Sequence, residues 1–228
     1  MAQKESFSID ISCSQTVIDR FADFIELRFG AYLDSLMGFQ FNLENCKQWQ
    51  LQTAQDTKLS PEELDKRLLI RGNGPPSIGS EESRRREVHQ MTQGSFKKNN
   101  SPGGENYNFA IENCLSDIFN YWKFVKQELG FKEIDDTCIF PITAYMRKLR
   151  NHVQHDLYGE RAITPQGASI SIKKTITQYP FPTFEVGQPI LLSEKDIEAI
   201  VVEVRAQFDA YLIPYMNDFL KSSTSITT

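Results

Sequence analysis

Residues 106–130 read NYNFAIENCLSDIFNYWKFVKQELG, and this stretch decides the fold class. Phe109, Ile111, Leu115, Ile118, Phe119, Trp122, Phe124, Val125 and Leu129 recur at the three-to-four spacing that gives a helix one wide apolar face. Gly130 follows, where a left-handed residue closes a helix. A helix this apolar is central in its domain. Its aromatic residues read as core, not as a surface on which bases stack.

Toward the amino terminus the same period continues. A helix is predicted from Ser14, with Val17, Phe21, Phe24, Ile25, Arg28, Leu33 and Leu36 on one side and Gly38 at its end. A weaker helix follows over Leu43–Ala54. Ser60-Pro61-Glu62-Glu63 carries a hydroxyl cap, a proline at the first helical position and a glutamate at the third, which predicts a third helix ending near Arg71-Gly72. Residues 72–106, with GNGPPSIGS and KKNNSPGGEN around EESRRREVHQM, predict an exposed, disordered excursion with a short helix over Glu81–Gln93. Arg84, Arg85 and Arg86 read as a solvated helix face, with an RNA-guiding role as the alternative.

Toward the carboxyl terminus a helix is predicted over Pro141–His155. Beyond it, the alternation in Ala168–Ile176, the turn Tyr179-Pro180-Phe181-Pro182 and the segment Thr183–Val186 predict a small β-hairpin inserted at 166–190. Ser193 caps a last helix, with Asp196 in its first turn and Ile197, Ile200, Val201, Val204, Phe208 and Leu212 as its buried stripe. Pro214 should break or kink that helix, and KSSTSITT should fray. The prediction is an all-α fold: a single domain, 1–228, built as a bundle of four to five helices.

Composition narrows the function classes. The 228 residues are 40% hydrophobic and 24% charged, enough for a packed core without staples. No run of apolar residues is long enough for a membrane span, and MAQKESFSIDIS lacks the apolar segment of a signal peptide. A cytoplasmic protein with no membrane partner is expected. Cys13, Cys46, Cys114 and Cys138 are scattered and read as reduced thiols. With a net charge of -5, an extended basic groove is excluded, so a nucleic-acid role needs a small local site.

The candidate chemistry lies in Ala144-Tyr-Met-Arg-Lys-Leu-Arg-Asn-His-Val-Gln-His155. Helical residues turn by about 100° each, so with Leu149 at the centre of the buried face, Ile142, Tyr145, Met146 and Val153 fall within about 60° of it. The opposite arc carries His155, Asn151, Arg147, Gln154 and Arg150. Asn151 and His155 share one ridge. His152 falls at the margin of the buried stripe and reads as a packing residue. His89, the third histidine, lies in the excursion. A metal site from His152, His155 and Asp156 is not expected, because the three share no ridge and are too few. No cofactor motif is present: GNGPPSIG lacks the lysine and hydroxyl of a phosphate loop.

The spacing Arg150-Asn151-x-x-x-His155 resembles the Arg-polar-x3-His motif of HEPN-superfamily ribonucleases, and the helical skeleton from Asn106 to Leu220 resembles their bundle. The resemblance implies metal-independent cleavage of RNA at a composite site in a homodimer, in toxin–antitoxin or antiviral-defence settings, with an antitoxin protein as a further partner. It implies catalytic roles for Arg150, Asn151 and His155, with Arg147, Lys148 and Gln154 binding substrate. The chemistry is apt: imidazole transfers protons near neutral pH, and a guanidinium stays charged and grips phosphate through two N–H groups. Toxin-type members carry a tyrosine two residues after the histidine; here Tyr158 stands three after it and reads as structural. A non-catalytic bundle of the same fold, binding a nucleotide or a protein on this polar arc, is the alternative.

Overall fold

The computed structural model describes residues 11–72, 87–131, 134–153, 170–172, 174–179, 181–187, 190 and 192–224. At 75% helix and 4% strand, the fold is all-α. The elements are α1 (Ile11–Thr57), α2 (Pro61–Asp65), β1 (Leu68–Gly72), β2 (Glu87–Thr92), α3 (Gln93–Asn99), α4 (Glu105–Glu128), α5 (Asp136–Ile139), α6 (Pro141–Val153), α7 (Glu194–Gln207), a π-helical turn at Phe208–Leu212, and α8 (Ile213–Thr224). The chain forms two compact units, one of residues 1–32 and 111–228, the other of residues 33–110.

The core of the first unit is built on α4. Ile111, Leu115, Ile118, Phe119, Trp122, Val125 and Leu129 are buried, as the spacing predicts. Phe109 and Phe124 are not; they sit at 65% and 50% exposure, outside the seam. Around Trp122 gather Phe21 of α1, at 5.8 Å between ring centroids, and Phe140, edge-on at 5.0 Å. Ile142, Tyr145, Met146 and Leu149 of α6 and Ile197, Ile200, Val201 and Val204 of α7 complete the layer. Helix α4 ends as its sequence demands. Gly130 adopts φ +73°, its N–H donates to the Gln127 carbonyl, and the Phe131 N–H reaches back to the Lys126 carbonyl at 2.7 Å.

The second unit corrects several expectations. The two amino-terminal helices are one: α1 runs through Gly38 to Thr57. Tyr32, Leu36, Leu43, Cys46 and Gln50 bury one continuous stripe of α1, so packing on one side outweighs the roughly 1 kcal/mol helix cost of a glycine. Lys58, at φ 59°, ends the helix instead. The capping box at Ser60 forms as predicted, with the Glu63 carboxylate accepting from the Ser60 N–H at 2.8 Å. Its helix stops at Asp65, however, because Leu68–Gly72 pairs antiparallel with Glu87–Thr92. The excursion is therefore structured over 87–106, with a strand at 87–92 in place of part of the helix expected at 81–93, then α3 and the start of α4; residues 81–86 of that helix lie outside the described residues. Phe96 and Asn100 are buried there, and His89 stands opposite Arg71 in the strand pair. Residues 73–86, including the arginine run, lie outside the described residues.

The hairpin at 166–190 is reduced, among the described residues, to a single bridge between Ile170 and Phe184. The reason is competition for backbone groups. The Glu203 carboxylate, fully buried on α7, accepts from the N–H groups of Ile176 and Thr177 at 2.8 and 3.0 Å. Gln207 takes the Lys174 carbonyl, and Pro180 and Pro182 have no N–H to offer a ladder. Ahead of Pro214 the last helix is interrupted by the π-helical turn, in line with the break or kink expected there. The Ile213 N–H bonds to the Phe208 carbonyl, a wider turn just before a residue that cannot donate, and α8 continues to Thr224. The predicted frayed tail is thus helical over Lys221–Thr224.

Candidate functional site

Helix α6 presents the predicted arc. Ile142, Tyr145, Met146 and Leu149 are buried, Arg147, Lys148 and Asn151 are exposed, and Arg150 is partly exposed. The helix is anchored at its start by Gln207, whose side-chain oxygen accepts from the Ile142 N–H at 2.7 Å. The Tyr145 hydroxyl donates to the Pro182 carbonyl at 3.0 Å, and burial, with Asp196 nearby, pushes its pKa up, so it stays a neutral donor. The polar arc is therefore held at a defined rotation.

Arg150 and Asn151 are brought together. The Arg150 guanidinium approaches the Asn151 side-chain oxygen at 3.4 Å, and its carbon lies 5.4 Å from the centroid of the Phe119 ring on α4. The ring fixes where the guanidinium sits. Phe119 is 2% exposed and is no platform for a base. Gln154, His155 and Asp156 lie outside the described residues, and of His152 only the helical backbone is described.

Arg147 points to a carboxylate that the sequence reading missed. Asp136 is buried at the start of α5, where its oxygens meet Lys126 at 2.9 Å, the Trp122 indole N–H at 3.1 Å and Arg147 at 3.5 Å. One buried carboxylate thus holds two cations from different helices, which fixes α5 between α4 and α6. Asp135 caps α5, and the Thr137 N–H on its carboxylate holds its pKa below the ordinary range. The available signal for this hub was the pair Asp135-Asp136 just ahead of Pro141; only the first could act as a cap, leaving the second without an assigned role.

Lys126 and Arg147 are the cations that face Asp136 and act on Asp135. Among the described residues no three His, Cys, Asp or Glu side chains are grouped to hold a metal ion. Of the cysteines, Cys46 and Cys114 are buried and Cys138 is exposed, all as free thiols. No helix among the described residues is long and apolar enough to cross a membrane. No family model, curated protein or solved structure matches the chain.

Proposed function

We propose that the chain is a metal-independent endoribonuclease of the HEPN type, acting at the polar face of α6. The observation that carries the reading is the paired Arg150 and Asn151 side chains on one helix face, the guanidinium seated over Phe119. His155 follows Asn151 at the motif's spacing.

In the reaction a ribose 2′-hydroxyl loses its proton and attacks the adjacent phosphorus. The new bond to the 2′-oxygen forms as the bond to the 5′-oxygen breaks, and that oxygen takes up a proton. The products are a 2′,3′-cyclic phosphate and a free 5′-hydroxyl. His155 serves as general base or acid, Arg150 stabilises charge on the phosphorane, and Asn151 orients the phosphate or holds the imidazole tautomer. Arg147, Lys148 and Gln154 bind the flanking strand. One imidazole cannot be base and acid in the same step, so a homodimer supplies the second from its symmetry mate. The resemblance also implies a setting in toxin–antitoxin or antiviral defence, where a partner protein restrains the activity.

The test is cleavage of labelled single-stranded RNA in EDTA by wild type, His155→Ala and Arg150→Ala. Activity that survives chelation and disappears in both variants supports the enzyme. Partial recovery on mixing the two variants supports the composite site, and full activity from a monomer contradicts it. The net charge of -5 favours a second reading, a non-catalytic module binding a nucleotide or protein on the same arc. Absence of cleavage by wild type at high protein concentration selects it.

A further inference from the structure

The part of α1 that belongs to the second unit carries apolar residues on both of its sides. Leu36, Leu43, Cys46 and Gln50 are buried within that unit. At about 100° per residue, Phe41 falls on the opposite side of the helix, with Leu33, Met37, Trp49 and Leu51 within about 80° of it. Leu33 is 38% exposed, Met37 69%, Phe41 67%, Trp49 47% and Leu51 59%. A surface helix ordinarily turns a polar face to water, and this one does not.

The face suits a second copy of the chain. From Leu33 to Leu43 the single charged residue is Asp34, so nothing there selects a strongly charged partner. Its size fits as well. At about 150–250 Å² for a large side chain, these exposures amount to roughly 400–700 Å², so a symmetric pair buries about 1,000 Å², where specific interfaces begin. The pattern also matches itself when reversed, as a two-fold interface requires. With the axis at Phe41, Phe41 meets the partner's Phe41, Leu33 comes level with the partner's Trp49, and Asp34 comes level with the partner's Gln48, an amide that can donate to it. A parallel pair would instead set Asp34 level with the partner's Asp34. At Gly38 an added Cβ would meet nothing within 4 Å, so the backbone there is open to close approach.

We infer that two copies of the chain pair through the 33–51 face of α1, antiparallel about a two-fold axis at Phe41. Apolar burial drives the association, and the exchanged Asp34 and Gln48 contacts set its direction. The interface lies on the second unit and uses no residue of the polar arc of α6, so it stands or falls separately from cleavage.

Sedimentation velocity of the full chain across a concentration series is expected to show a monomer–dimer equilibrium. Phe41→Glu should weaken it by about 30-fold or more, the scale of a central hot spot, and Met37→Glu should weaken it in the same direction. Phe109→Glu, at an equally exposed aromatic on α4, should leave it unchanged. Because all three side chains are exposed, the helical circular dichroism of each variant should match wild type. Phe41→Cys puts a thiol at the axis and should give a covalent dimer with a short bismaleimide, beyond what the exposed Cys138 gives in wild type. The proposal is overturned if wild type stays monomeric at high protein concentration, which would leave the face to a different protein. It is equally overturned if Phe41→Glu associates like wild type, or if Phe109→Glu loses as much. A dimer that persists in Phe41→Glu but dissolves in Arg150→Ala would place the pairing at α6 instead. A dimer that depends on Phe41 in a protein that cleaves no RNA would retire the ribonuclease reading and leave this interface intact.

Discussion

Each of the two compact units holds a lysine against an aspartate, and the two arrangements end differently. In the second unit, Lys97 meets Asp65 at 2.6 Å and the Gln50 side-chain oxygen at 2.9 Å. The Gln50 amide donates to Asp65 at 2.8 Å and to Gln93 at 2.9 Å. One cation, one anion and two amides close on themselves, tying α1, α2 and α3 together. In the first unit, Asp136 likewise takes Lys126, Arg147 and the Trp122 indole, but the Arg147 side chain stays 48% exposed at 3.5 Å. The closed network spends its hydrogen-bonding capacity on holding elements in place. The open one holds its elements with one carboxylate and leaves the Arg147 guanidinium half exposed to solvent.

The sharpest way to break the contrast is to remove the hub. Asp136→Ala should destabilise the protein by about 3–5 kcal/mol, since it leaves the Trp122 N–H unpaired and the largely buried Lys126 ammonium without a counter-ion, held by the Ile134 carbonyl. Thermal or urea denaturation measures it, and a loss below about 1 kcal/mol would mean that Asp136 does not organise the face. Next in size is the open face itself. Arg150→Ala should cut RNA cleavage by roughly 10²–10³-fold, the scale for removing one donor to a developing oxyanion. Its melting temperature should fall only slightly, because a partly exposed cation–π contact is worth about 0.5–1 kcal/mol.

The closed network should respond in stability alone. Gln50→Leu is expected to cost about 1–3 kcal/mol by leaving buried partners on Gln93 and Lys97 unsatisfied, with the cleavage rate of the folded protein unchanged. A change in cleavage there would erase the distinction between the two regions. Smaller still is the titration of Asp65. Bonds from Lys97 and Gln50 lower its pKa from the ordinary carboxylate value, so its contribution is complete above the unfolded pKa near ~4 and is lost as pH falls through the folded one. Denaturation between about pH 5 and pH 2 should show less acid loss in Asp65→Asn than in wild type, the protonation of Asp65 being removed. A thiol probe gives a further comparison. At pH 8, Cys138 should label well before Cys114, whose pKa burial pushes up to about 12; equal rates would indicate a first-unit core that opens readily.

Local chemistry was readable wherever it could act alone. The Ser60 box, the Ser193 cap, the Gly130 closure and the apolar face of α4 need only near neighbours, and all four are present. The amphipathic split of α6 was equally legible, so Arg147, Lys148 and Asn151 lie on the exposed side assigned to them. His155 and Gln154, the remaining members of that arc, lie outside the described residues. The failures share a cause. Gly38 resembled a stop because its cost is local, whereas the stripe that carries α1 past it is long. Leu68-Leu69-Ile70 resembled a helix end because strand pairing with Gln90–Thr92 is invisible to a window that ends at Gly72. The 174–177 segment alternated like a strand, but its N–H groups found Glu203, far along the chain.

Periodicity and capping, which depend on contacts three or four residues apart, were enough to establish a helical protein and a polar motif on one of its helices. Whether that motif had support was a matter of distant partners. Phe119 beneath Arg150 and Asp136 beside Arg147 come from other helices, and only folding brings them within the few ångströms over which such interactions act.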